Sequence, residues 1–299
     1  MQTFTTIDNI RIAYEVHGDD SAPVILLIMG LGMPSKAWPK HLIESLVQQG
    51  FRVVCFDNRD SGKSSKIDKN VGFLSVLNAI ARTLLRKPVR GCYSLEDMAA
   101  DAVAVLDELN IRRAHVMGVS MGAMIAQVMA SLYPQRVASL ISIMGALGNP
   151  RTGLGKIRAI KSLITKPKNE SDVLSMQNYL RKMFKAIGSP GLGYPEAQIR
   201  ELAESMVQDG YEQVCCYRQL LAILTSGNRS KNLRRVIAPT LVIHGRSDPL
   251  LPLAAGEEVA RLIPNSRMLT IDRMGHDLQD VMIDQFAPAI ARHCHRYKD

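Results

Sequence analysis

The chain has 299 residues, 46% of them hydrophobic and 22% charged, with a formal net charge of +9. This is the composition of a folded protein with a large core, and the length suits one large α/β domain carrying an insertion, or two domains. No run approaches the roughly 18 to 20 apolar residues that span a membrane. The start, Met1-Gln2-Thr3-Phe4-Thr5-Thr6, lacks the charged region and apolar run of a secretory signal, so a cytoplasmic location is expected.

Residues 2–7 and 10–17 alternate polar and apolar around Asp8-Asn9, which predicts a β-hairpin. The continuous apolar run 24–29 ends at Gly30 and suits a strand buried on both faces of a parallel sheet. A helix over 42–49, closed by Gly50, leads to a second buried strand at 52–57 and the polar turn Asn58-Arg59-Asp60-Ser61-Gly62-Lys63-Ser64. Within 66–93, Phe73, Leu74, Leu77, Ala81, Leu84 and Leu85 fall at helical spacing, with Arg82, Arg86 and Lys87 beside them. The spacing predicts a helix whose apolar stripe turns onto the body of the protein or onto a cap; a membrane-surface role is the alternative. Residues 95–109 read as an amphipathic helix with Ser94 as N-cap and Glu96-Asp97 in its first turn. A strand at 115–119, a helix at 121–132 and a strand at 140–144 follow. Strands at 240–244 and 267–271 flank a helix at 254–262, and a last helix covers 280–295.

Strands alternating with helices imply crossovers, and so a mainly parallel central sheet with helices on both faces and antiparallel strands at one edge. Residues 147–235 separate two strands by far more chain than one crossover needs. They contain helical stretches at 154–164, 172–187, 196–207 and 211–224, broken by Lys166-Pro167 and Ser189-Pro190-Gly191. The expected organisation is a core domain of residues 1–146 and 236–299 with a helical cap, 147–235, inserted into it.

The basic excess is localised. Residues 147–235 carry 15 Lys/Arg against 7 Asp/Glu, and residues 66–90 carry 6 against 1. A solvated basic face accounts for this; the functional alternative is a positive rim that attracts anionic substrates, or weak association with an anionic membrane surface. No nucleic-acid recognition module accompanies the charge, so no nucleic acid partner is expected. The five cysteines are odd in number and lack metal-type spacing, so neither a disulfide framework nor a zinc site is expected, and the chain fits a reducing compartment.

Gly118-Val119-Ser120-Met121-Gly122 lies where a buried strand turns sharply into a helix. A serine at such an elbow sits in strained backbone, and small neighbours let the adjoining chain pass close to it. A serine hydroxyl is a poor nucleophile until a general base takes its proton, and that base needs a group to fix its tautomer. Two later strands end in loops with suitable groups: Asp248, in His244-Gly245-Arg246-Ser247-Asp248-Pro249, and His276, in Asp272-Arg273-Met274-Gly275-His276-Asp277. Parallel strands bring their C-terminal ends to one edge of the sheet, so Ser120, Asp248 and His276 can converge there. The turn after 140–144, Gly145-Ala146-Leu147-Gly148-Asn149, offers no rival carboxylate, and Asp272 and Asp277 stand too close to His276 in sequence to orient its ring from behind.

With these motifs, and with Asp57-x-Arg59-x-x-Gly62-x-Ser64 after an early strand, the sequence resembles the α/β-hydrolase fold family, of serine carboxylesterase type. In the segments 29–39 and 56–62 it is closest in motifs to the branch that includes aclacinomycin methylesterase. The resemblance implies a Ser120–Asp248–His276 catalytic triad, an oxyanion hole built from the main-chain N–H groups of Leu31 and Met121, and no cofactor or metal. Many relatives carry His-Gly where this chain has Met29-Gly30, which leaves open what supports that loop. The implied function is hydrolysis of a small apolar ester through an acyl-enzyme. Rival readings are a C–C bond hydrolase, a thioesterase or a cofactor-free haloperoxidase-like enzyme on the same scaffold, and a ligand receptor built on it. His115 and His244 read as core histidines, and Asp57, Arg59 and Asp60 as a turn network. Trp38, Tyr179, Phe184, Tyr194, Tyr211 and Tyr217 are divided between core and pocket. Met29, Met33, Met117, Met121, Met124, Met144 and Met274 suggest an adaptable apolar pocket.

Overall fold

The apolar run Val24–Ile28 (β3) has one strand on each side, Arg52–Phe56 (β4) and Ala114–Val119 (β5), both parallel to it. The sheet continues through Val137–Ile143 (β6), Thr240–Gly245 (β7) and Ser266–Ile271 (β8), again all parallel. On the other side of β4, Arg11–His17 (β2) and Gln2–Thr5 (β1) complete the edge antiparallel, giving the order β1-β2-β4-β3-β5-β6-β7-β8. This computed structural model describes residues 1–297.

Two helix layers cover the sheet. Because side chains alternate across a strand, Leu26, Ile28, Val54, Phe56 and Val116 point to one face, and Ile25, Leu27, Val53, Cys55 and Met117 to the other. The first face is covered by Leu95–Glu108 (α3), Met121–Leu132 (α4) and Leu253–Leu262 (α11), the second by Lys40–Gln48 (α1) and Asp280–Arg296 (α12). Ser94 caps α3, as the sequence predicts, and the structure adds a reciprocal capping box with Asp97.

Between β6 and β7 lie Pro150–Gly153 (α5), Ile157–Ile164 (α6), Val173–Ile187 (α7), Glu196–Gln208 (α8), Gln213–Ser226 (α9) and Ser230–Leu233 (α10). The helix expected over 154–164 forms but starts only at Ile157, just after Gly155. Ala159, Met176, Leu180, Ile199, Ala203 and Met206 form an apolar cluster of this insert's own. Two buried arginines tie the loop after β4 to its surroundings. Arg218 of α9 makes a two-pronged bond to Asp60, at 2.7 and 2.9 Å, and Arg59 pairs with Asp101 of α3 at 2.6 and 2.8 Å. The turn network read from Asp57, Arg59 and Asp60 thus reaches into the insert.

One expectation is overturned. The helix at Phe73–Leu84 (α2) forms, but it buries Val76 and Ala79, with Ile80 partly covered, against Leu220, Leu221 and Leu224 of α9. The stripe read from the sequence, Phe73, Leu74, Leu77, Ala81, Leu84 and Leu85, faces solvent. Periodicity shows that a helix has apolar residues along one side; it does not say which side meets a neighbour when two sides are apolar.

Candidate active site

β5 ends in the turn that carries Ser120, the residue before α4. Its backbone stands at φ 57°, ψ −119°, a region that a residue with a β-carbon enters only at a cost of about 1–3 kcal/mol. The flanking glycines are demanded by space. A β-carbon on Gly118 would fall onto the carbonyl of Gly122, and one on Gly122 onto the carbonyl of Ile28. The close approach of α4 to β3 and β5 is what raises the serine at the sheet edge. Ser120 N–H donates to the Ile143 carbonyl at 2.9 Å, fixing the turn to β6.

Asp248 follows β7 and His276 follows β8, and both are buried. His276 Nδ1 lies 2.7 Å from Asp248 Oδ2, and His276 Nε2 lies 2.8 Å from Ser120 Oγ. A carboxylate only accepts, so it holds the ring proton on Nδ1 and leaves Nε2 free to accept from the serine hydroxyl. The other carboxylate oxygen, Oδ1, accepts from the N–H groups of Leu250 and Leu251 at 2.8 and 2.9 Å. The loop carrying the histidine is pinned by the insert: His276 N–H donates to the Ile187 carbonyl at 2.8 Å, and Gly275 N–H to Ser189 Oγ at 2.9 Å.

Met121 is the first residue of α4, so its N–H has no acceptor within the helix. Leu31 lies beside Ser120 and lines the same two cavities. The loop 29–33 is held by two residues that the sequence did not single out for this task. Asn58 donates from Nδ2 to the Met29 carbonyl at 3.0 Å. Gln219 of α9, fully buried, accepts from Gly32 N–H at 2.7 Å and donates to the Arg59 carbonyl at 2.8 Å. Gln219 and Gly32 stand 187 positions apart, so no local pattern could have joined them. Asn58 sits in the recognised polar turn, and that turn was its only signal.

Other predicted residues are engaged in contacts of their own, although Asp277 also lines the smaller cavity beside His276 and His244 Nε2 lies 3.6 Å from Asp248 Oδ2. His244 Nε2 donates to the Leu251 carbonyl at 2.8 Å, and burial pushes its pKa below the ordinary histidine range, so it is a neutral core residue. His115 is also buried, 2.9 Å from Ser139 Oγ. Asp272 pairs with Arg246 on the surface, and Asp277 accepts from Ser189 and Gln279. Cys216 lies near Gly32, but burial pushes its thiol up to about 11, which keeps it protonated and unreactive.

Two cavities meet at Ser120. The larger, about 270 Å³, runs past Leu31, Met124, Leu154, Ile223 and Leu250. The smaller, about 100 Å³, is lined by Met29, Met33, Met144, Phe184, Tyr194 and His276, among others. Of the methionines singled out, Met29, Met33, Met124 and Met144 line a cavity, whereas Met117, Met121 and Met274 are core residues. Met183, not singled out, joins the smaller cavity. Among the aromatic residues, Phe184 and Tyr194 line it, stacked with centroids 3.8 Å apart. Trp38, Tyr179 and Tyr211 pack away from it, and Tyr217 packs with Phe73 of α2.

The sequence profile of the alpha/beta hydrolase fold matches residues 23–281. The chain belongs to the alpha/beta hydrolase fold family. It is 28% identical over 309 residues to rhodomycin D methylesterase DnrP of Streptomyces peucetius, across 96% of each chain. It is also 26% identical over 291 residues to a 2-hydroxy-6-oxononadienedioate/2-hydroxy-6-oxononatrienedioate hydrolase of Cupriavidus pinatubonensis, across 91% of this chain and 88% of that one. Among solved structures, the meta-cleavage product hydrolase CumD of Pseudomonas fluorescens IP01 superposes with a TM-score of 0.75 at 18% identity, covering 100% of this chain and 98% of its own. That structural likeness speaks to the α/β-hydrolase fold alone. The methylesterase relatives agree with the narrower resemblance drawn from the motifs around Met29 and Asp57.

Proposed function

We propose that this α/β hydrolase is a carboxylic ester hydrolase in which Ser120 is the nucleophile, His276 the general base and Asp248 the residue that orients it. The observation that carries this reading is the unbroken chain Asp248–His276–Ser120, at 2.7 and 2.8 Å, ending on a strained elbow between two apolar cavities. The methylesterase relatives support the choice of an ester bond. The serine oxygen attacks the ester carbonyl as its proton passes to His276 Nε2. The developing oxyanion accepts from the N–H groups of Leu31 and Met121. Collapse transfers the proton from Nε2 to the departing alcohol and leaves an acyl-serine. Water, deprotonated by the same nitrogen, then releases the acid and restores Ser120.

The substrate's bulkier apolar group belongs in the 270 Å³ cavity and the smaller group in the 100 Å³ one. Residues 147–235 act as a cap that closes both from above. The relative named for a dienedioate raises a C–C bond hydrolase as a second reading. Its substrate carries two carboxylates, and neither cavity is lined by Lys or Arg among the described residues, so the apolar ester is favoured. A panel of methyl esters graded from butanoate to dodecanoate tests this. The expected kcat/KM rises by about threefold or more per added methylene until the larger cavity is full. Absence of turnover at every length would move the chain to one of the other bonds.

Gln219 enters as the support of the oxyanion loop. Gln219→Ala leaves the buried Gly32 N–H and Arg59 carbonyl without partners, which is expected to lower stability by about 2 kcal/mol or more. The freed loop is expected to lower kcat about tenfold with little change in KM, because the donor it aims acts only on the transition state. Thermal unfolding and steady-state kinetics on the same preparation measure both; an unchanged kcat would separate Gln219 from the oxyanion hole.

A further inference from the structure

Apart from Phe73, which touches Tyr217, the outward face of α2 has no packing partner among the described residues. Its inner side already packs on α9, yet Leu74 is 78% and Leu85 66% exposed, with Phe73, Leu77 and Leu84 on the same stripe. A second apolar pair stands nearby: Leu154, 55% exposed, and Ile157, 73% exposed, at the start of α6. Leu84 and Leu154 are half-exposed and both line the 270 Å³ cavity that reaches Ser120. The two apolar patches therefore flank one opening, the mouth of the larger cavity. Contiguous exposed apolar surface of this kind marks an interaction site.

Charge decides what it meets. Residues 66–90 carry six Lys/Arg against one acidic residue, and residues 150–169 carry six against none. Arg86, Lys87 and Arg90 on one side, and Arg151, Lys156, Arg158 and Lys161 on the other, are all exposed around the leucines. A second copy of the chain laid on this face would oppose like charges. An anionic bilayer satisfies both features at once: leucines enter the acyl boundary, and ammonium and guanidinium groups reach the lipid phosphates. Among the described residues no helix is long and apolar enough to cross a membrane, so the contact is with the surface.

We propose that the apolar stripe of α2, with Leu154 and Ile157 and the basic residues around them, docks on an anionic phospholipid surface, so that the mouth of the substrate cavity opens onto the lipid. The docking stands independently of the catalytic reading; only the delivery of an apolar ester from the bilayer to Ser120 rests on it.

Sedimentation with vesicles tests it, using phosphatidylcholine alone or mixed with phosphatidylglycerol, at low and at high salt. The parent and Ser120→Ala chains are expected to sediment with the phosphatidylglycerol vesicles at low salt and to be released as salt rises. Leu74→Glu/Leu85→Glu is expected to lower the partition coefficient about tenfold or more, while keeping the melting transition and the hydrolysis of a water-soluble short-chain ester. Arg86→Glu/Lys87→Glu, which leaves the stripe intact, is expected to lose about tenfold or more of the preference for phosphatidylglycerol. No binding to these vesicles at low salt, or an unchanged partition in either variant, would overturn the proposal. So would a lipid-free dimer that dissociates in the leucine variant. Vesicle binding by a parent chain that hydrolyses no ester would leave the docking standing and remove the delivery route.

Discussion

Ser120→Ala is expected to lower kcat for ester hydrolysis by about 10⁴-fold or more while leaving the fold intact. The size follows from what is removed. Without the hydroxyl, His276 Nε2 faces no proton to abstract, and no acyl-enzyme forms. What is left is the contribution of the oxyanion donors and of binding. The fold survives because the elbow does not depend on the hydroxyl. Ser120 holds β6 through its main-chain N–H to Ile143, and alanine meets the same strain at φ 57° that serine already bears. Kinetics on the methyl ester panel, with thermal unfolding as a control, measures both. Equal turnover in variant and parent would remove Ser120 from the chemistry.

Asp248→Asn is expected to cost a comparable factor, about 10⁴ in kcat, without a change of shape. The environment dictates how the new amide sits. Leu250 and Leu251 each present an N–H to Oδ1, so the amide oxygen must stay there and the NH₂ must turn toward His276. It then donates to Nδ1, which drives the ring proton to Nε2. That nitrogen now faces Ser120 as a donor and cannot take its proton. Activity within about tenfold of the parent would point to a different acid, and Asp277, the nearest in sequence, is already engaged by Ser189 and Gln279.

The fold was legible wherever a local signal carried it. The runs within 24–29 and 52–57 are nearly unbroken because both faces of those strands are covered, and the alternation of strands with helices points to a parallel sheet. That topology brings Ser120, Asp248 and His276 to one edge, so three residues scattered over 156 positions could be grouped without coordinates. What escaped was carried by distance or by direction. Gln219 reaches Gly32 across 187 positions, and nothing in its helix distinguishes it from a surface glutamine. Likewise, the Arg218–Asp60 pair joins the insert to the body through two residues with no shared pattern. On α2 the helix was correct and its orientation was not. The six regularly spaced apolar residues form the exposed stripe, while Val76, Ala79 and Ile80, a shorter and weaker set, make the buried contact. The methionines divide for a similar reason. Strand alternation sends Met117 into the core beneath the elbow, whereas Met29, Met33 and Met144 sit in the loops around it.

The proposed reading rests on an activated serine. A buried carboxylate lies on the histidine, the histidine lies on the serine, and mostly apolar walls line the two cavities beside Leu31. An ordinary serine in a turn would have none of this support and would not react with an electrophile at neutral pH. Labelling by a fluorophosphonate, read by intact mass and peptide mapping, measures that activation without any assumption about the natural ester. The expected result is a single adduct on Ser120, absent in Ser120→Ala and strongly slowed in Asp248→Asn. An unlabelled parent chain, or a label that persists in Ser120→Ala, would contradict the account.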